Sequence, residues 1–234
     1  MAETNYGDYL RTLNKISGAI TSDLYLEDIL KLIVTLTANV MEAKICNVWL
    51  FDEKSQEFTI EATQAMSKEY LEKRTIELTE GIVGLAAREK KPIIISDVLS
   101  DKRYKEKKLA KKEGLVSMAS LPMMVKDKVI GVLNIYTTSP YNFTKADINL
   151  LSTVANQAAV AIEKTELIVK TKIIQEELEA RKRIEKAKGI LMQEKGISEE
   201  EAFSLIRKSS MDKRISTKEI AEAIILSYEI RQIK

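Results

Sequence analysis

Apolar residues recur along this chain with two different periods, and the switches between them mark its parts. Leu10, Leu13, Ile16 and Ile20 stand three or four apart, which predicts a first amphipathic helix. Leu26, Ile29, Leu30, Ile33, Leu36, Thr37 and Val40 share one face of a second. The pattern then shortens. Lys44 to Phe51 and Phe58 to Ala62 are brief and rich in β-branched and aromatic residues, and Asp52-Glu53-Lys54-Ser55 makes the turn of a hairpin between them. Gly81 to Arg88 reads as a short helix entered from Glu80-Gly81 and stopped by Pro92, with Ile93-Ile94-Ile95 as a further strand. Asp101 to Glu113 is heavily charged and predicts a surface helix or loop. Met118 to Val125 and Val129 to Tyr136 are two apolar strands joined by Lys126-Asp127-Lys128. A sheet with flanking helices makes this part an α+β domain of ordinary size.

From Thr144 onward the period is helical. Thr144 with Asp147 forms an N-cap pair, and Phe143 and Ile148 are placed as a hydrophobic staple. No proline follows Pro140, and glycine occurs beyond it only at 189 and 196. Unbroken helix from 144 to about 194 would run roughly 75 Å. Within it, Val160, Lys164, Leu167, Thr171, Ile174, Leu178 and Arg181 alternate four and three apart, the interval of a coiled coil. Lys164, Thr171 and Arg181 weaken that seam, so a solvated linker helix competes. The two-chain coiled coil is preferred, because a stripe of this length otherwise stays wet. Gly196 can close the long helix. Ser198-Glu199-Glu200-Glu201 and Ser216-Thr217-Lys218-Glu219 are capping boxes that open two more, the second with Ile215 and Ile220 as its staple. Ala202, Leu205 and Ile206 supply the apolar face of the first, and Ala221, Ile224, Ile225 and Tyr228 that of the second. Phe203 and Tyr228 are assigned to the core of this thin three-helix unit.

Composition removes many chemistries. The 234 residues contain no histidine and a single cysteine, Cys46. Ser-His and Cys-His catalysis, His-ligated zinc or haem, a histidine phosphorelay and a four-cysteine metal site therefore all lack a required residue. No phosphate-binding glycine loop is present. No metal or resident cofactor is expected, and the reading is non-enzymatic. Hydrophobic residues at 45% and charged ones at 31% fit a soluble globular chain. No run of ~18 apolar residues offers a membrane span. The opening MAETNYGDYL lacks a signal core, and a lone cysteine fits a reducing compartment, so a cytoplasmic location is expected. The formal net charge is +2, zero through residue 164 and +2 beyond it, so nucleic-acid binding would have to come from local clusters.

Two stretches resemble known families. Residues 10 to 163 are similar to GAF domains, on Glu80-Gly81-Ile82-Val83-Gly84, Lys91-Pro92-Ile93-Ile94-Ile95-Ser96-Asp97-Val98, Asp101 with Arg103-Tyr104, Ser120-Leu121-Pro122, Val129 to Ile135, and Phe143-Thr144 with Asp147. The resemblance implies an antiparallel sheet flanked by helices and a small-molecule effector of unknown identity on one face of the sheet. Residues 170 to 230 resemble the ANTAR domain, on Arg183-Ile184-Glu185-Lys186-Ala187-Lys188-Gly189-Ile190-Leu191-Met192, Ser198-Glu199-Glu200-Glu201-Ala202-Phe203, Leu205-Ile206-Arg207, Ser210-Met211 and Ile220 to Ile224. That resemblance implies a three-helix RNA-binding module acting in transcription antitermination as a dimer, on paired stem-loops of a leader transcript. The organisation expected is a sensory domain over 1–163, a coiled-coil linker over 164–182, and an RNA-binding domain over 170–234 whose first helix continues the linker.

The candidate RNA contacts are Arg183, Lys186, Ala187, Lys188, Gly189, Arg207, Lys208, Lys213 and Arg214. Lysine and arginine gathered on one face would neutralise phosphates, and arginine can stack on bases exposed in loops. Ala187 and Gly189 admit two readings: close helix packing, or room for a nucleic-acid backbone beside Lys188. For the sensor, Cys46, Trp49, Met66, Met118, Ser120 and Met123 are placed together as a pocket lining, against the plainer reading of core packing. A DNA-binding or protein-interaction regulator is the alternative function. A reductase of oxidised methionine on the same fold would need cysteines this chain lacks.

Overall fold

The computed structural model describes residues 6–65, 67 and 75–233. The opening pair of helices is α1 (Tyr6–Ile20) and α2 (Leu26–Val40). Ile29, Leu30, Ile33 and Thr37 of α2 are buried as expected. The inward face of α1 runs Thr12, Ile16, Ala19 and Ile20, so Leu10 falls outside it and is 63% exposed. Strands β1 (Ile45–Asp52) and β2 (Glu57–Thr63) form the predicted hairpin, and β3 (Thr75–Glu77) adds a strand too short to have signalled itself. Then come α3 (Gly81–Glu89), β4 (Ile93–Ile95), α4 (Lys107–Glu113), β5 (Met118–Val125) and β6 (Lys128–Tyr136). The six strands make one antiparallel sheet in the order β3-β2-β1-β6-β5-β4.

Alternation along the strands gives the sheet two buried faces. On the first, Cys46, Val48, Leu121, Met123, Leu133 and Ile135 pack against α1, α2 and the opening turns of α5 (Lys145–Lys195). On the second, Ile45, Met118 and Tyr136 meet Ile82, Val98 and Tyr104, while Trp49 and Val132 meet Val83, Ala86 and Ala87 of α3. Two glycines set how closely the backbones approach. A Cβ on Gly131 would lie 2.1 Å from the Trp49 carbonyl oxygen, and one on Gly84 would lie 2.3 Å from that of Leu78. Neither position has room for a side chain.

The start of α5 is fixed by the expected cap and by more. Thr144 N–H donates to Asp147 Oδ2 at 2.7 Å and Asp147 N–H donates to Thr144 Oγ1 at 3.2 Å. The buried Asp147 carboxylate also accepts from Tyr9 of α1 at 2.5 Å and from Tyr141 at 3.2 Å. Burial and the neighbouring carboxylate push the Tyr141 hydroxyl up to about 12 and raise that of Tyr9 as well. Further along, Lys164 donates from Nζ to the Ile20 carbonyl at 3.0 Å, satisfying a carbonyl at the end of α1.

The chain divides into two compact units, Met1–Glu166 and Leu167–Lys234. The second holds the later turns of α5 with α6 (Glu199–Lys213) and α7 (Thr217–Gln232). Both capping boxes form, Ser198 with Glu201 and Ser216 with Glu219, and Gly196 ends α5 in the left-handed region at φ 63°. The core is small: Ala187, Ile190, Leu191, Ala202, Ile206, Ile220, Ala221 and Ile225, with Tyr228 packed at its edge. Two expectations fail here. Phe203 is 45% exposed and Leu205 40% exposed, because α6 is buried along the narrow stripe of Ala202 and Ile206. Residues one position to either side of that stripe are turned about 100° away from it. Among the described residues, no helix is long and apolar enough to cross a membrane.

Candidate nucleic-acid interface

The nine residues placed on this surface meet different fates. Ala187 is fully buried in the three-helix core, where a small side chain lets α5 approach its neighbours. Lys188, its neighbour, is only 8% exposed and its ammonium is held between two carboxylates, Glu185 at 2.9 Å and Glu199 at 2.6 Å. Glu199 is the first residue of α6, so this lysine fastens that helix start to α5. The two carboxylates raise the Lys188 ammonium, and in return Lys188 holds Glu199 below the usual glutamate range. Lys186 pairs with Glu229 of α7 at 2.7 Å. Arg183 and Gly189 are exposed on α5, and a Cβ added to Gly189 would meet nothing within 4 Å. Of the two readings of that glycine, close packing within the unit is therefore removed.

Helix α6 carries the remaining cations. Arg207, Lys208 and Lys213 are exposed and have no ion pair among the described residues. Arg214 is the exposed residue that ends the helix in the left-handed region at φ 56°. Acids fill the first turn of α6, Glu199 to Glu201, and bases its later turns, which complements the helix dipole. Glu199 stands two turns before Arg207, so an acidic group separates the Lys188 ammonium from that guanidinium along α6. Of the nine, the cations without an ion pair among the described residues are thus those of α6 with Arg183, whereas Lys186 and Lys188 are paired within the unit.

The residues expected to line one sensory pocket fall on opposite sides of the sheet. Cys46 and Met123 face α1, α2 and α5, whereas Trp49 and Met118 face α3 and the segments beside it, and Ser120 shares the parity of Met118 on β5. They cannot form a single lining, and Met66 lies outside the described residues. Burial pushes the Cys46 thiol well above its ordinary range. A feature absent from the sequence reading sits on the second face. Asn47, Asn134 and Ser120 are register partners on β1, β6 and β5 and are all fully buried. Ser120 Oγ donates to Asn134 Oδ1 at 2.7 Å, while Asn134 Nδ2 finds no acceptor among the described residues. The available signal was a polar residue at the centre of an otherwise apolar strand.

Comparison with known proteins decides what these units are. The family model of the GAF domain matches residues 24–163, and that of the ANTAR domain matches residues 173–225. The chain is a GAF-domain protein carrying an ANTAR domain. The GAF part is 25% identical over 158 residues to a protein of Escherichia coli described as phosphoenolpyruvate-dependent phosphotransferase system, covering 68% of this chain and 21% of that protein. The crystal structure of the GAF domain from an Acinetobacter phosphoenolpyruvate-protein phosphotransferase aligns with a TM-score of 0.61 at 25% identity, over 69% of this chain and 97% of that one. The ANTAR part is 40% identical over 52 residues to the transcriptional regulatory protein PdtaR of Mycobacterium tuberculosis, covering 22% of this chain and 25% of that protein. The chain thus spans a quarter or less of these curated relatives.

Within the ANTAR domain, charge and capping act together. The Ser198 backbone N–H donates to Glu201 at 2.8 Å and the Ser216 N–H to Glu219 at 2.8 Å. These bonds hold both glutamates ionised to lower pH than usual, with the backbone bond from Ser198 leading for Glu201 and the Ser216 hydroxyl for Glu219. The starts of α6 and α7 are thereby secured by paired polar side chains.

Proposed function

We propose that this protein is an RNA-binding regulator of transcription, an antiterminator, in which the GAF domain senses a small effector and the ANTAR domain engages folded RNA. The observation that carries the reading is the match of the ANTAR model to a unit whose exposed α6 displays Arg207, Lys208 and Lys213 without an ion pair among the described residues. Such cations contribute sequence-independent, salt-sensitive affinity for phosphates. The RNA would be a pair of stem-loops in a leader transcript, and holding them would let polymerase read through.

The active species is a homodimer. Val160, Leu167, Ile174 and Leu178 are each about half exposed on α5, and Ile168, Val169 and Ile173 widen the stripe. A second copy covering it would join two ANTAR domains, so that tandem stem-loops bind with raised effective concentration. Effector binding acts by biasing the pairing of α5 between the two copies. The deciding experiment is filter binding of the full chain to leader RNA and to duplex DNA of matching sequence at several salt concentrations. Tighter binding to RNA, with a log–log salt slope of several units, is expected. Equal or tighter binding to the duplex overturns the reading.

A further inference from the structure

The densest positive charge in the chain lies on the GAF domain rather than on the ANTAR domain. Lys102 to Lys112 holds seven cationic residues and one acid, Glu106. That is +6 within eleven residues, and because residues 1–164 are neutral as a whole, the remainder of that span carries −6. The fold pins this segment from beneath and turns its charges outward. Tyr104 and Ala110 are buried in the core on the second face of the sheet, and Leu109 packs against it. Three cations hold the segment in shape: Arg103 grips Asp101 at 2.6 Å, Lys107 Nζ donates to the Leu99 carbonyl at 2.8 Å, and Lys105 stands 3.9 Å from Glu80. Lys102, Lys108 and Lys111 are exposed and have no ion pair among the described residues. Local stability does not explain them all. The helix dipole favours Lys111 and Lys112 in the last turn of α4, but it opposes Lys107 and Lys108 at the start and leaves Lys102 unaccounted for. Like charges gathered this closely repel one another unless an anion meets them.

We infer that the basic segment from Lys102 to Lys112 is a second RNA contact, carried by the GAF domain, that holds the phosphate backbone without reading sequence. It rests on the RNA-binding reading above and adds a contact on the sensory domain itself. The residue types favour this partner over two others. Protein interfaces are depleted in lysine and centred on aromatic and apolar side chains, whereas here the aromatic ring, Tyr104, is buried. A lipid surface is gripped by a basic helix with an apolar face to insert, and the apolar residues of α4, Leu109 and Ala110, are already committed to the domain core. The one guanidinium is occupied by Asp101, which leaves lysines, point charges suited to phosphates rather than to base edges.

The test uses the full chain and a labelled tandem stem-loop RNA, read by fluorescence anisotropy over a series of salt concentrations. The variant is Lys102→Glu with Lys108→Glu and Lys111→Glu. Its control, Lys31→Glu with Lys54→Glu and Lys145→Glu, changes the net charge equally at exposed positions elsewhere on the same domain. The variant should weaken binding at least about tenfold at low salt and lower the log–log salt slope by about 2–3, while the control stays within about twofold of wild type. The same three lysines changed to Gln should lower the slope by a similar amount with a smaller loss of affinity, and calorimetry should show the GAF domain melting as in wild type. Equal affinity and slope in variant and control overturn the second contact and leave RNA binding by the ANTAR domain standing. A wild-type chain that binds no RNA removes the earlier reading and this one with it. Wild-type binding to vesicles of phosphatidylserine and phosphatidylcholine that the variant loses, with RNA binding unchanged, would assign the segment to a lipid surface and overturn the inference.

Discussion

Gly189→Ala separates two roles that a helical glycine can have. Position 189 lies six residues inside the end of α5, is exposed, and would place its new methyl where no atom stands within 4 Å. Nothing in the unit then resists the substitution. The gain is that of replacing glycine by alanine in an open helix interior, about 1 kcal/mol, largely through a less disordered unfolded chain. For a unit of this size that corresponds to a rise of about 4–8 °C in melting temperature. Differential scanning calorimetry of wild type and variant, with the second transition assigned by its loss on truncation after residue 195, reads the shift directly. If the open space at Gly189 serves to admit a nucleic-acid backbone, RNA affinity measured on the same samples should move the other way, because the added methyl takes up that space. A melting temperature that is unchanged or lower would refute the reasoning, since it would mean that position 189 is packed in the native assembly. Gain of stability with affinity fully retained would show that the glycine serves neither purpose.

Four other outcomes are expected. Cys46 should resist alkylation at neutral pH in the native protein and react stoichiometrically in denaturant, as followed by mass spectrometry, because its thiol is buried and its ionisation is disfavoured. Ser120→Ala should destabilise the GAF domain by about 1–3 kcal/mol in urea unfolding by removing the donor to Asn134, whereas Ser120→Ala with Asn134→Leu recovers most of the loss; equal losses in both would sink the idea. If a second copy covers the α5 stripe as proposed, Ile174→Glu should yield a monomer in sedimentation velocity without changing the melting of the GAF domain, since the residue is 63% exposed in the single chain. The lowered glutamates Glu199, Glu201 and Glu219 favour their charged forms in the fold, so their contribution is complete above the usual glutamate range and drains away as pH falls through their lowered values. Melting of the ANTAR domain should therefore weaken below about pH 4.5, less steeply in Glu201→Gln with Glu219→Gln.

What could be read from the sequence was mostly local. Strands β1, β2, β5 and β6 and the boxes at Ser198 and Ser216 announce themselves within a few residues, through alternation and through paired capping side chains. Which face of α6 turns inward depends instead on what α5 offers opposite it, and Ala202-Phe203 reads equally well in either sense until the partner helix is in place. The partners of Lys188 divide in the same way: Glu185 lies one helical turn back, but Glu199 reaches it only because the chain reverses at Gly196. The sensory candidates divide by strand parity alone. Cys46 and Trp49 differ in parity on one strand, as do Ser120 and Met123 on another, so simple alternation already sends them to opposite faces.

The two bonds joining α1 to α5, from Tyr9 to Asp147 near their starts and from Lys164 to Ile20 further on, splint the first helix along the third part of the longest one. A chain trimmed to begin where the GAF family model begins, at residue 24, would lose that splint together with the buried side chains of Ile16 and Ile20. Asp147 would keep its cap role but face a vacated apolar groove. Studies of the sensor in isolation should therefore start ahead of Tyr6, or they will measure an unbraced helix rather than the native one.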